Sequence, residues 1–139
     1  MDKGWRHVAL DDFERRRDKP GQRWELSPEL GVDAFNFNVA VLEHGERLSQ
    51  SHYHYHPNQS ELIYVAAGRC RVEVDGDGFV VEQDDAVHFD SGPDGVHLVH
   101  NPFDDPVRLV AIGWPPEGRH PVETVVTTDE LLAERANEK

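Results

Sequence analysis

From Phe35 onward, polar and apolar residues alternate with a period of two, in short stretches separated by turn-forming residues. Phe35, Phe37, Val39 and Val41 alternate with Asn36, Asn38 and Ala40, the pattern of a half-buried strand. Glu43-His44-Gly45-Glu46 reads as a turn and Leu48 to His56 as extended chain, with Pro57-Asn58-Gln59-Ser60 turning into a strand over Glu61–Ala67. Gly68 breaks the parity: Glu61, Ile63 and Val65 share a face before it, Cys70, Val72 and Val74 after it, as a bulge or sharp bend predicts. Asp75-Gly76-Asp77-Gly78 forms a hairpin turn. Further strands are expected at Phe79–Glu82, Ala86–Phe89, Val96–His100 and Val107–Ile112. Short strands at this spacing argue for an all-β sandwich or barrel.

The flanks read differently. Asp11 with Glu14 forms a reciprocal cap for a short helix to about Arg17, and Pro20-Gly21 and Ser27-Pro28 read as turns. After Trp114-Pro115-Pro116, a last strand is expected over Val122–Val126. Thr127-Thr128-Asp129-Glu130 is a capping box that opens a C-terminal helix to about Asn137. The expected division is an N-terminal extension over 1–34, a central β domain over 35–114 and a strand-and-helix tail over 115–139.

Composition narrows the function classes. A chain of 139 residues suits one core. With 14 basic and 27 acidic residues the formal charge is −13, which excludes the footprint of a duplex-binding protein and argues against an anionic membrane as partner. Arg15-Arg16-Arg17 lies between Glu14 and Asp18 and reads as a solvated face. The longest apolar run, Leu62 to Ala67, is six residues, against roughly 18 for a membrane span. The first residues lack the apolar stretch of a secretory signal, and the single Cys70 makes no internal disulfide; both point to the cytoplasm. The acidity, with 11 Arg and 3 Lys, resembles that of salt-adapted proteins, so lowering salt is expected to destabilise the fold.

The nine histidines carry the chemistry. In His52-Tyr53-His54-Tyr55-His56, residues two apart on a strand share a face at roughly 6.5–7 Å. Two imidazoles at that spacing can converge on one ion at bonds of about 2.0–2.2 Å. A third is some 13 Å from the first, which argues against all three sharing one ion. The turn at Pro57–Ser60 folds Glu61 back toward the pair. Two imidazoles and a carboxylate suit one divalent transition metal ion: Fe, Mn, Ni, Zn or Cu. A polar strand face without metal is the alternative reading of the same residues.

The pattern His54-x-His56, four residues, Glu61, six residues, Gly68 resembles the first signature motif of the cupins, small double-stranded β-helix (jelly-roll) barrels. Asp85-Ala86-Val87-His88-Phe89-Asp90-Ser91-Gly92, then Pro93-Asp94-Gly95-Val96-His97, then three residues and Asn101, resembles the second. The resemblance spans about Phe35 to Trp114 and implies metal ligands at His54, His56, Glu61 and His97, with His52 left out of the set. Gly45 lies earlier than the first motif expects, Asp84 and Asp90 stand where Gly and Pro are usual, and two extra residues separate Gly92 from His97. These departures fall in turns.

Three imidazoles and one carboxylate leave open coordination positions for water, dioxygen or a bidentate substrate. The expectation is a small metalloenzyme acting on a small polar substrate. The alternative is a non-catalytic module that binds metal or a small ligand as sensor or scavenger. His52, one strand step from His54, is a candidate proton carrier or a wall residue. His88 and His100 have outward parity and are expected in surface or interface roles. Cys70 reads as core filler, and Asn101 as either pocket wall or turn residue. Tyr53, Tyr55, Tyr64, Leu62 and Leu98 share an outer face that needs a cover, for which a homodimer is expected over the N-terminal strands.

Overall fold

The computed structural model describes residues 4–13, 22–48, 52–75, 77–116, 123–127 and 130–133, with the backbone alone at His52 and at 123–127. Ten strands make up most of it: β1 (Gln22–Glu25), β2 (Asn36–Leu42), β3 (His52–Tyr55), β4 (Ser60–Ala67), β5 (Arg69–Val74), β6 (Asp77–Glu82), β7 (Ala86–Phe89), β8 (His97–His100), β9 (Val107–Trp114) and β10 (Glu123–Thr127). They form two five-stranded antiparallel sheets, ordered β1-β2-β9-β4-β7 and β10-β3-β8-β5-β6. The topology is that of a jelly roll. Consecutive strands repeatedly change sheet, and among the described residues turns read from the sequence, such as that at Gly68, make some of these changes.

Gly68 is the sharpest of these corners. It lies between β4 and β5 with φ +82°, next to a register shift at Val65/Ala67. A Cβ there would sit 2.5 Å from the Pro106 carbonyl oxygen, so only glycine fits. The main core lies between the sheets and is built from Leu42, Ile63, Val65, Cys70, Val72, Val99 and Leu109 among others, as the period-two pattern requires. Cys70 is core filler, and burial pushes its thiol up to about 12.

Strand β2 reverses the expectation from its apolar pattern. Ala40 and Leu42 join the core, and pairing of Asn38 with Ala111 and of Asn36 with Gly113 puts both asparagines on that same inward face. Phe37, Val39 and Val41 face outward. The N-terminal segment adds what the turn signals at Ser27-Pro28 did not reveal: β1 pairs with β2, and a one-turn helix α1 (Ser27–Leu30) follows. Ser27 Oγ donates to the Phe35 carbonyl (2.7 Å) and accepts from the Phe37 amide (2.8 Å), clasping the start of β2 on both sides of Asn36. Near the N-terminus, Leu10–Asp12 forms a 3-10 turn in which Asp12 reaches back to the Ala9 amide. Phe13 after this turn is extended, so the start of the expected helix is a single 3-10 turn, and its remainder, residues 14–17, lies outside the described residues.

The outer face of the second sheet has a cover within the chain. Tyr53, Val96 and Leu98 cluster with Leu131, with Tyr55 and Leu132 packed alongside. Residues 130–133 are helical, within the expected C-terminal helix, whose further course to Asn137 lies outside the described residues. Tyr53, Tyr55 and Leu98 therefore need no second subunit to be buried. Tyr64, on the other sheet, stays exposed and donates to Asp84.

Candidate metal centre

The site is assembled where strands of the two sheets face one another. In the second sheet, β3 and β8 pair His54 directly with His97. The ring centroids are 5.0 Å apart. The chain then crosses to the first sheet through residues 57–59, which carries His56 and Glu61 to either side of the same space. His54, His56 and Glu61 present ligand atoms that all lie within 4.8 Å of one another. These three side chains can hold a metal ion. His97 joins them through Nε2, 2.9 Å from Glu61 Oε1, while His56 Nε2 lies 3.4 Å from the same oxygen.

The turn between β7 and β8 steers two of the histidines. Its Gly92 amide donates to the His56 carbonyl at 2.8 Å. The residues that lengthen this turn form a 3-10 turn over Pro93–Gly95, whose last carbonyl lies 2.6 Å from His97 Nδ1. A Cβ on Gly95 would overlap the Asp90 backbone, so glycine allows this close packing. A carbonyl only accepts, so His97 Nδ1 carries the proton and Nε2 is left to face the carboxylate. Phe89 stacks on the His97 ring at 3.7 Å and 10°, fixing its plane and walling one side of the site with hydrocarbon.

Charge balance decides what such a cluster needs. With its Nδ1 proton placed, a neutral His97 would point a lone pair at an oxygen lone pair 2.9 Å away. A positive charge belongs between them, either a ring proton or a metal ion. Three imidazoles with centroids 4.9–6.4 Å apart share a single carboxylate, so protonating all three leaves excess charge in a half-dry space. Two buried atoms, His56 Nδ1 and Glu61 Oε1, have no hydrogen-bond partner. A borderline divalent cation suits this donor set. Burial pushes the Glu61 carboxyl up, but His56 and His97 outweigh it and hold it well below the usual carboxylate range, in the ionised form a metal requires.

The other candidates fall as follows. His52 opens β3, and its side chain lies outside the described residues. His88 is on the outer face as expected, stacked on Trp114 at 5.6 Å. His100 also points outward but is no free surface residue: its Nε2 is 3.0 Å from Glu73 Oε2, and Glu73 is 1% exposed. Asn101 is a turn clamp. Its Nδ2 donates to the Leu42 and Asp105 carbonyls, its Oδ1 accepts from the Phe103 amide, and it is fully buried. Sequence reasoning passed over Gln59. It precedes Glu61 by two residues, is 8% exposed, and donates from Nε2 to the Pro115 carbonyl at 3.2 Å. Its signal was an amide sharing parity with a ligand candidate inside an otherwise ordinary turn.

Comparison with known proteins agrees with this geometry. A family model described as a cupin domain matches residues 38–113. "Polyketide synthase CurC" of Streptomyces cyaneus is 32% identical over 107 residues, covering 76% of this chain and 66% of the relative. This chain thus spans about two thirds of that relative's length. Among solved structures, the polyketide cyclase RemF from Streptomyces resistomycificus superposes with a TM-score of 0.71 at 20% identity, covering 87% of this chain and 85% of that one. A sugar phosphate isomerase of the cupin superfamily from Silicibacter pomeroyi superposes with a TM-score of 0.69 at 26% identity, covering 78% of this chain and 74% of that one.

Proposed function

The chain belongs to the cupin domain family, and from that premise we propose that it is a metal-dependent enzyme acting on a small polar substrate, with one divalent transition ion held by His54, His56, Glu61 and His97. The observation that carries this reading is the facing of His97 Nε2 and Glu61 Oε1 at 2.9 Å with the other ring nitrogen already committed to the Gly95 carbonyl. When bound, such an ion supplies a Lewis acid that polarises a coordinated oxygen of the substrate.

The protein's own residues do the rest. Glu61 stays ionised and neutralises part of the cation's charge. Gly95 and Phe89 orient His97. The Gly92 amide anchors the backbone at His56, and Glu61, 23% exposed, marks the side open to solvent and ligand. The curated relative's name and the polyketide cyclase among the structural neighbours favour an oxygen-rich organic substrate.

Elemental analysis of protein purified without chelator tests the reading. The expected result is one transition metal ion per chain, with the melting temperature falling when a chelator removes it. Absence of stoichiometric metal, or His97→Ala leaving metal content and melting unchanged, would overturn it. Saturable binding without turnover across a panel of organic acids, sugars and phenolic ketones would instead mark a non-catalytic binding module.

A further inference from the structure

We propose that Asn36, Asn38 and Gln59 form the wall that recognises the ligand, and that this wall selects an uncharged molecule rich in hydroxyl and carbonyl oxygens over a phosphorylated one. The inference rests on the site described above being where a small ligand binds.

Asparagine is disfavoured in strands, and a buried amide is costly without a partner. Yet two successive inward positions of β2 are asparagines, followed on the same face by Ala40 and Leu42 of the core. The inward face of β2 is therefore polar at one end and apolar at the other. The polar end is the metal end. Asn36 pairs with Gly113, and Gly113 pairs with Glu61. At about 4.8 Å per strand, Asn36 lies two strands, roughly 10 Å, from the Glu61 backbone.

Between them Gly113 has no side chain, and the Gln59 amide occupies the space. A Cβ on Gly113 would lie 3.0 Å from Gln59 Nε2 and 3.1 Å from its Cδ. With Nε2 bonded to the Pro115 carbonyl, Gln59 is oriented and its Oε1 keeps its acceptor capacity. The side chains of Asn36 and Asn38 are half-buried and hydrogen-bond to nothing among the described residues. Ser27 clasps the backbone on both sides of Asn36, which fixes where this residue's side chain starts.

Carboxamides both donate and accept, which suits hydroxyl and carbonyl groups. The two inward rows run Asn36–Gly113–Glu61–Phe89 and Glu25–Asn38–Ala111–Ile63–Val87. Among the described residues these two rows contain no lysine or arginine, and their charged members are the carboxylates Glu25 and Glu61; the next inward row carries Arg23, opposite Ala40, with its Nη2 donating to the Leu48 carbonyl at 2.7 Å. A phosphate dianion against these two rows would meet the carboxylates, while the nearest described guanidinium on that face, Arg23, is engaged with the Leu48 carbonyl.

The test uses the full chain as purified, with its metal content measured, and two probes: 2,4-dihydroxyacetophenone and its 4-O-phosphate ester. Titration calorimetry should show saturable binding of the neutral probe and binding of the ester at least about tenfold weaker. The double variant N36L/N38V should bind the neutral probe about tenfold more weakly, the loss expected for one to two hydrogen bonds. Its metal content should be unchanged and its melting temperature equal or higher, because unpartnered amides have been replaced by apolar groups. Asn36→Ser, too short to reach the ligand, gives the same readout if the larger side chains disturb the fold. Undiminished affinity in a folded variant, tighter binding of the ester, or no saturable binding of the neutral probe would each overturn the proposal. Missing metal in the unmodified protein overturns the metal centre instead, and the ratio of probe affinities between variant and unmodified chain remains a separate reading.

Discussion

Glu73 and Glu61 both lie against histidine, and they have opposite fates. Glu73, on the outer face of β5, is 1% exposed and meets His100 at 3.0 Å and Arg71 at 2.5 Å. Burial raises its carboxyl, but His100 and Arg71 together bring it down to about 2. Arginine is a permanent cation, so this cluster is electrically closed. Glu61 has two histidines against it and no arginine partner among the described residues, and it remains 23% exposed. Its Oε1 and His56 Nδ1 are left without hydrogen-bond partners. Carboxylate and histidine make a finished ion network where an arginine joins them, and where none does they leave a donor set that could hold a metal ion. What separates them is the resident cation.

The comparison can be broken most severely at Glu61. Glu61→Ala should weaken metal binding by at least about 100-fold while leaving the fold intact, since the site is open and half-solvated. Metal titration followed by circular dichroism checks both halves. Glu73→Gln should do the reverse: metal affinity unchanged, with stability at neutral pH reduced on the order of 2 kcal/mol in denaturant unfolding.

Acid sharpens the same contrast. The folded-state value of Glu73 lies below its unfolded value, so its contribution is complete above pH 4.5 and is lost as pH falls toward about 2. The stability gap between Glu73→Gln and the unmodified chain should close over that window; a gap constant from pH 7 to about 2.5 would show that charge is not its origin. The smallest effect concerns neither cluster but the acidic surface around both. With a formal charge of −13, the melting temperature should drop by about 2–5 °C between about 1 M and about 0.05 M NaCl.

How much of this was legible in the sequence follows from the range of each signal. The spacing His54-x-His56 with Glu61 after a short turn is a local statement about a strand and its return, and the structure brings these residues together. His97 was reachable because a second motif stands at its own spacing. Its orientation was not, because the Gly95 carbonyl and the Phe89 ring that set it depend on how the extra turn residues fold. Parity placed His100 outward correctly but could not say what it meets there, the carboxylate of Glu73. On this sheet the outer face is itself partly buried, with Leu131 packed near Leu98 and Glu73 paired across from it.

Strand β2 failed for a related reason. Both of its faces carry apolar residues, so alternation alone could not say which one meets the core. The choice is made by pairing with β9, a long-range contact that no local window contains. Asn101 was ambiguous because asparagine before proline suits both a turn and a pocket, and only the buried Leu42 and Asp105 carbonyls decide for the turn.

The helical segment packed behind β3 has a consequence for how the molecule ages. Leu131 covers Tyr53, and Tyr53 is the chain neighbour of His54 on the opposite face of the same strand. A nick by a protease anywhere between Thr127 and Leu131 would strip hydrocarbon from the back of the strand whose front bears an imidazole of the centre. Damage behind β3 would then be felt first at the histidine cluster on its other face, well before the sheets themselves came apart.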